Sequence, residues 1–243
     1  MMSKSIGPLF MEKTMYKNMP KTPRQNQAEK PPLQMPYSGT PIDLPNPMAL
    51  EHKDVALDKA MIDRKSHRKY TDQPLNLKEV SYLLYVSQGV KKTTENNTFR
   101  TVPSAGASHA FETYILIRNV VDLSPGLYRY LALEHQLLKV SDDPNLTTKV
   151  KVACLDQPMI ETSALTFLWV ADIKRMHYKY GERGYRFIFL DAGHVCQNIY
   201  LACENLGAGT VAIAAYDDTA VNAVLKLDGE AQFVTYIAPV GKI

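Results

Sequence analysis

Arg64-Lys65-Ser66-His67-Arg68-Lys69-Tyr70 packs four fixed positive charges and a hydroxyl into seven residues. An arginine offers a planar fork of donors matched to phosphate, and a serine adds a neutral donor. Alternate residues of one short turn, Arg64, Ser66 and Arg68, can therefore hold an anionic group and a polar ring edge together. The residues alone also allow a solvated charge cluster, the commoner fate of a charge run.

Further blocks follow in order. Pro103-Ser104-Ala105-Gly106-Ala107 reads alone as a turn, and its small residues let a backbone approach an aromatic plane closely. Tyr180-Gly181-Glu182-Arg183-Gly184-Tyr185-Arg186 leads into Asp191-Ala192-Gly193-His194-Val195-Cys196-Gln197-Asn198, and then come Leu206-Gly207-Ala208-Gly209-Thr210, Ala214-Ala215 and Pro239-Val240-Gly241-Lys242. Lys179-Tyr180 suits proton transfer where the lysine is desolvated and its pKa falls. The other reading is a helix-terminal lysine beside a core tyrosine, in a chain with 14 tyrosines. His194 falls on or close to a buried helical stripe and reads as a hydrogen-bonded core histidine. No second histidine or carboxylate stands at metal-ligand spacing from it, so no metal site is expected. Cys154, Cys196 and Cys203 are odd in number and lack paired spacing, so they read as small buried hydrophobes in a reducing compartment.

In this order and spacing, four blocks resemble the flavin-dependent nitroreductase family over about residues 41 to 243. The Pro-Ser-Ala-Gly and Gly-His-x-x-Gln-Asn blocks resemble most its SagB-type dehydrogenase branch, whose members oxidise azoline rings in peptides. The resemblance implies an α+β fold, a nitroreductase-like mixed sheet flanked by helices, in an intertwined homodimer with two flavin sites at the interface. It implies FMN and not FAD, since it offers one phosphate's worth of charge and no adenosine site. Arg64, Ser66 and Arg68 would touch the cofactor, Arg68 near N1 and O2, where the reduced ring becomes anionic. Lys65 and Lys69 would face solvent. Pro103, Ser104, Ala105 and Gly106 would come from the second subunit and lie against the ring. Ala214 and Ala215 stand where the family often has a glycine whose backbone amides face N5 and O4, and alanine serves there unless a positive φ is needed. Lys242 would reach for the phosphate, and Lys179-Tyr180 would remove a proton in the azoline-oxidising case.

The activity implied is an NAD(P)H-linked, ping-pong hydride transfer through flavin N5 to a small-molecule acceptor. Two other readings stay open. One is a SagB-type dehydrogenase acting on an azoline or other C–N bond in a small molecule or peptide, and the other is a flavin-binding module without turnover.

The elements that must position these groups follow from periodicity. A helix over Asp54–Asp63 delivers Arg64. Asn76 with Glu79 makes a capping pair for a helix ending at Gly89. Residues 91 to 102 are polar and read as mobile, Phe111–Ile117 reads as a strand, and two strands flank the turn region after Ser124-Pro125-Gly126. A helix runs from Pro144 to Cys154, and Ala164–Ala171 is the continuous apolar run of a central strand. Glu182–Leu206 is the longest helix, ended by Gly207. A strand over Val211–Ala215, a helix over Asp218–Leu225 and a strand over Gln232–Pro239 complete the chain. A Gly-x-Gly after a helix instead of a strand, without β-α-β alternation, argues against a Rossmann domain.

At 243 residues and 45% hydrophobic content, one domain over residues 51 to 243 can bury a substantial core. Residues 1 to 50 hold 9 of the 15 prolines and read as an arm, either partly disordered or wrapped on a partner subunit. They also hold 6 of the 28 basic and 3 of the 25 acidic residues, so the remainder balances at 22 of each. That balance argues against nucleic acid. Neither a signal-type h-region nor a membrane-length apolar run is seen, and the expected location is the cytoplasm.

Overall fold

In the computed structural model, residues 5–50 and 54–243 are described. After helix α1 (Ile6–Lys13), the arm is extended apart from single turns and the two-residue strand β1 (Ile42–Asp43). Helix α2 (Leu57–Asp63) begins three residues later than the pattern suggested, and α3 (Leu77–Gln88) carries the expected capping box, with Asn76 accepting from the Glu79 amide and Glu79 returning the bond. Strands β2 (Val90–Thr93) and β3 (Thr98–Arg100) form a hairpin where a mobile stretch was expected. The reason is Arg100, which is buried and donates to Gln88 and Thr98 at 2.9 and 3.2 Å, tying the hairpin to α3.

Strands β4 (Phe111–Ile117), β5 (Gly126–Leu131) and β6 (Gln136–Ser141) are followed by helices α4 (Leu146–Ala153) and α5 (Met159–Thr162). Strand β7 (Leu165–Asp172) leads directly into α6 (Ile173–Tyr180), then α7 (Gly184–Leu206), β8 (Ala208–Thr210), α8 (Asp218–Leu225) and β9 (Gln232–Lys242). The sheet order is β1-β6-β5-β4-β7-β9-β8. The fold is α+β, as expected, and every pairing between its named strands is antiparallel. Parallel pairing is confined to isolated bridges, including Ser66 with Thr210. Residues 211 to 215 form no strand of their own, and only Ile213 bridges to Ile237. Strand β9 runs past Pro239 because residues 240 to 242 still pair with β8, while the Pro239 carbonyl accepts from the Thr210 and Tyr70 hydroxyls.

Alternation along the central strands divides two cores. Ile115, Ile117, Phe167 and Trp169 face α3 and α7, while Tyr114, Leu116, Leu168 and Val170 face α4, α5 and α8. Both faces of β7 are thus buried, and the sheet is covered by helices on each side. No helix among the described residues is long and apolar enough to cross a membrane.

The described arm lies along this same chain, held largely by core guanidinium groups donating to its carbonyls. Arg129 reaches the Met35 and Pro36 carbonyls, Arg175 the Leu33 carbonyl, and Arg183 the Thr14 carbonyl. Arg175 also bridges the buried carboxylates of Glu112 and Asp172. Replacing Arg175 with Met should leave both anions in a low-dielectric interior and cost about 3–5 kcal/mol. Urea unfolding monitored by circular dichroism should show that loss, while Lys59→Met, at the exposed Lys59–Asp63 pair, should leave the midpoint unchanged.

Candidate functional site

The segment after α2 is laid along the edge of the sheet. Ser66 bridges Thr210, the His67 amide donates to the Thr210 carbonyl at 2.9 Å, and the Tyr70 hydroxyl donates to the His67 carbonyl at 2.9 Å. This approach requires Gly209, because a Cβ there would lie 2.6 Å from the His67 side chain. Arg64 then places its guanidinium 5.0 Å from the centre of the Tyr200 ring, and the Ser66 hydroxyl lies 3.0 Å from the Tyr200 hydroxyl. Arg68, Lys65 and Lys69 are exposed. Among the described residues no carboxylate pairs with Arg64 or Arg68.

The Tyr200 hydroxyl also accepts the Ala212 amide at 2.8 Å, which brings the start of the Ala212–Ala215 stretch to the same place. Ala214 and Ala215 are exposed and neither has a positive φ, so the condition under which alanine would have been resisted does not arise. The Ala215 carbonyl is anchored by the Gln157 amide at 2.9 Å, and neither alanine's own amide donates to a described residue. Tyr200 was missed in the sequence. It stands two residues past the Asp191–Asn198 block, and an aromatic there resembles any other helix residue.

Lys242 does not join this group. Its ammonium is buried, pairs with Glu79 and donates to the Leu206 carbonyl at 2.7 Å, so it closes the C-terminal end of α7 instead of meeting a phosphate.

A second cluster forms around Asp191. Its carboxylate, buried within α7, accepts the Ser104 hydroxyl at 2.6 Å and the Ala105 amide at 3.2 Å, and Ser104 in turn accepts the His109 amide at 2.9 Å. Burial raises the Asp191 pKa against these bonds, which lower it. Gly106 has φ +55°, and a Cβ there would fall 2.3 Å from the Tyr180 hydroxyl, so conformation and space both demand glycine. Lys179 donates to the Gly106 carbonyl and to the Asn97 side chain. Burial lowers the Lys179 pKa, aided by Lys30 and Arg24, and burial raises that of Tyr180. The Pro103 block and the Lys179-Tyr180 pair are therefore one cluster in one chain.

The two clusters hang on the same helix but not on the same side. Nine residues separate Asp191 from Tyr200, which is about 13 Å along the axis and about half a turn around it. Within one chain they point apart. His194, expected in the core, is instead 52% exposed with Nδ1 4.0 Å from Asp191, because the buried stripe passes through Val195 and leaves its neighbour outside. No group of three or more potential metal ligands occurs among the described residues.

A match to the nitroreductase family model spans residues 61–242. The chain belongs to the nitroreductase family. A nitroreductase-family relative from Methanocaldococcus jannaschii, MJ1384, is 33% identical over 190 residues, covering 78% of this chain and 92% of the relative. The microcin B17-processing protein McbC of Escherichia coli is 25% identical over 133 residues, covering 53% of this chain and 49% of McbC. The trifolitoxin-processing protein TfxB of Rhizobium leguminosarum is 25% identical over 156 residues, covering 60% and 42%. Among solved structures, a nitroreductase-family protein from Ralstonia eutropha superposes with a TM-score of 0.69 at 26% identity, covering 88% of this chain and 95% of that one. The Escherichia coli microcin synthetase McbBCD complex gives 0.63 at 19% identity over 97% of this chain and 86% of that one, a likeness of fold. The nitroreductase-family chain is thus an oxidoreductase of nitroreductase type with SagB-like homologues.

A further residue of the chain gave no sequence signal. His109, bonded through Thr98 and the Ser104 hydroxyl, is buried with its Nδ1 unpartnered, and burial together with Arg100 pushes its pKa down to about 3. Its unfolded pKa is about 6.5, so between those values the unfolded chain binds the extra proton. The stabilisation is complete above pH 6.5 and is lost as pH falls toward 3, by up to about 1.4 kcal/mol per unit. Urea midpoints at pH 7 and pH 5 should differ less in His109→Asn than in the parent protein.

Proposed function

We propose that the chain is an FMN-dependent, NAD(P)H-linked oxidoreductase that works as a homodimer, each flavin held between two subunits. The observation that carries this reading is the half-turn of α7 between Asp191 and Tyr200. One cluster has guanidinium charge and free amides without a close platform, and the other has a close platform with no arginine among the residues that build it. Each is half of a site, and a partner supplies the other half.

The residues present fit the cofactor. Arg64 and Arg68, without carboxylate partners among the described residues, suit one phosphate and the electron-rich N1–O2 edge. The unpaired amides of Ala214 and Ala215 suit O4 and N5, and the Pro103–Gly106 turn suits an aromatic plane. Bound flavin supplies hydride acceptance at N5 and onward electron transfer. The chain's own residues bind and orient it, place positive charge where the reduced form gains negative charge, and pair subunits so that both halves meet. Exposed Met61 and Ile62 on α2 and Phe189 and Leu190 on α7 provide apolar surface for such pairing.

A second reading is favoured by the contact of Lys179 and Tyr180 with Gly106. A desolvated lysine of lowered pKa beside the ring platform suits removal of a proton from a substrate C–H or N–H as the hydride leaves. Relatives that process microcin B17 and trifolitoxin support an azoline or other C–N bond in a peptide or small molecule as that substrate.

Heat or acid release followed by chromatography should yield FMN, and recovery of FAD or of no flavin would end the reading. Anaerobic NADH or NADPH should bleach the visible spectrum in the first case, whereas in the second the flavin should stay oxidised until an azoline compound is added. Arg64→Ala should weaken flavin binding about 10- to 150-fold, the equivalent of a charge-assisted contact of roughly 1.5–3 kcal/mol. Shared sites are tested by mixing an Arg64→Ala, Arg68→Ala chain with a Gly106→Trp chain. Each parent should be nearly flavin-free, and the heterodimer should regain one site. A heterodimer confirmed by mass that gains no flavin would place each site within one subunit.

A further inference from the structure

The arm has a surface that neither half of the site uses. Residues between Tyr16 and Gln25 enclose, with Lys179 and Tyr180, a cavity of about 510 Å³, a size that holds a small molecule. Its arm wall is built and not merely draped. Pro23 to Ala28 form a closed turn in which Asn26 donates to the Thr22 carbonyl, Ala28 to the Pro23 carbonyl and Gln27 to the Arg24 carbonyl. Gln27 closes it with φ +58°. Thr22 and Gln25 exchange side-chain to backbone bonds, and the Arg24 amide donates to the Tyr178 carbonyl at 3.0 Å, fixing the turn to α6.

The charged residues that line this cavity are of one sign. Arg24 and Lys179 line it, and no acid does. Among the described residues the Arg24 side chain has no hydrogen-bond or ion-pair partner, whereas Lys179 is committed to Gly106 and Asn97. Lys30 lies on the neighbouring wall, and of the acids nearby Glu29 lines the adjacent cavity, Glu95 acts on Lys30, and Asp191 acts on Tyr180 while its carboxylate is taken by Ser104 and Ala105. Lys179 and Lys30 each feel Arg24 as a like charge that lowers their pKa. Three cations held close by a fixed turn store repulsion that an anion would relieve.

We propose that the arm is a wall of the substrate site, and that Arg24 receives an anionic group, a carboxylate or a phosphate, of the small molecule that reacts over Lys179 and Tyr180. This rests on reading that pair as the substrate side of a flavin site. Arg24 is then a specificity-determining residue, and a neutral analogue of the same shape loses affinity without losing its fit.

The test uses the flavin-loaded protein, titrated calorimetrically with benzoate, phenyl phosphate and the neutral isostere benzamide. At least one anion should bind, and benzamide should bind about tenfold or more weakly, the size of one charge-assisted contact. Arg24→Gln should abolish that preference, while Lys21→Gln, a cation of the same arm outside the cavity lining, should keep it. Equal binding of benzoate and benzamide, no anion binding at all, or an Arg24→Gln protein that keeps the preference would overturn the proposal. The source of the anion follows from kinetics. A rise in KM for NADPH but not NADH in Arg24→Gln assigns the group to the donor's phosphate, and weakened benzoate inhibition at fixed NADH assigns it to the acceptor. Flavin content and its reduction by NADH are read separately from the spectrum, so loss of the oxidoreductase reading is distinguishable from loss of anion selection.

Discussion

The angular pitch of one helix sets what this molecule can do alone. A 23-residue helix carries Asp191 and Tyr200 a half-turn apart, and each is the anchor of one chemical cluster. Asp191 holds the Pro103 turn by accepting its serine hydroxyl and alanine amide, and Tyr200 holds the Arg64 segment through its ring and the Ala212 amide through its oxygen. Both anchors are rigid because the buried stripe of α7, including Ile188, Ala192, Val195 and Ile199, is locked against α3 and the sheet. No rotation of a side chain brings the two clusters together within one chain.

The arm obeys a complementary logic. A proline-rich segment has few amide donors but a full set of carbonyl acceptors, and the core meets it with guanidinium groups from β5, α6 and the turn that precedes α7. Guanidinium forks can serve two masters, as Arg175 does when it spans Glu112, Asp172, His109 and Leu33. The placement of the arm is thereby tied to a buried ionic network of the domain.

What the sequence made legible was whatever local pattern dictates. The capping pair Asn76–Glu79, the alternation of Phe111–Ile117, the apolar run of β7 and the three-four spacing of α7 all encode local geometry, and the elements appear close to their expected bounds. The blocks Arg64–Arg68 and Pro103–Gly106 were legible because they depart from such patterns. Contacts across the chain were not. Residues 90 to 100 are polar in sequence yet pair as a hairpin, with Arg100 finding Gln88 across the hairpin base, and no periodicity reports a partner. His194 sits one residue, hence about 100°, off the buried stripe, a margin finer than spacing resolves. The proximity of Lys179-Tyr180 to Gly106 joins positions 73 residues apart and is a property of tertiary packing alone.

Lys242 shows how charge accounting in three dimensions sharpens the site. On the sequence, a terminal lysine near a glycine-bearing strand is one more candidate for an anion. In the fold it satisfies Glu79, itself the return partner of the α3 capping box, and the free carbonyl at the end of α7. That single ammonium therefore joins the start of one helix to the finish of another, and an anion taken from outside would have to break both. The positive character at the sheet edge is then carried by the Arg64–Lys69 segment, and within it Arg64 alone is braced on an aromatic face, the Tyr200 ring. The same tyrosine's hydroxyl takes the Ala212 amide, at the start of the stretch bearing the free Ala214 and Ala215 amides. One ring thus holds both the Arg64 guanidinium and the start of the stretch that carries those amides.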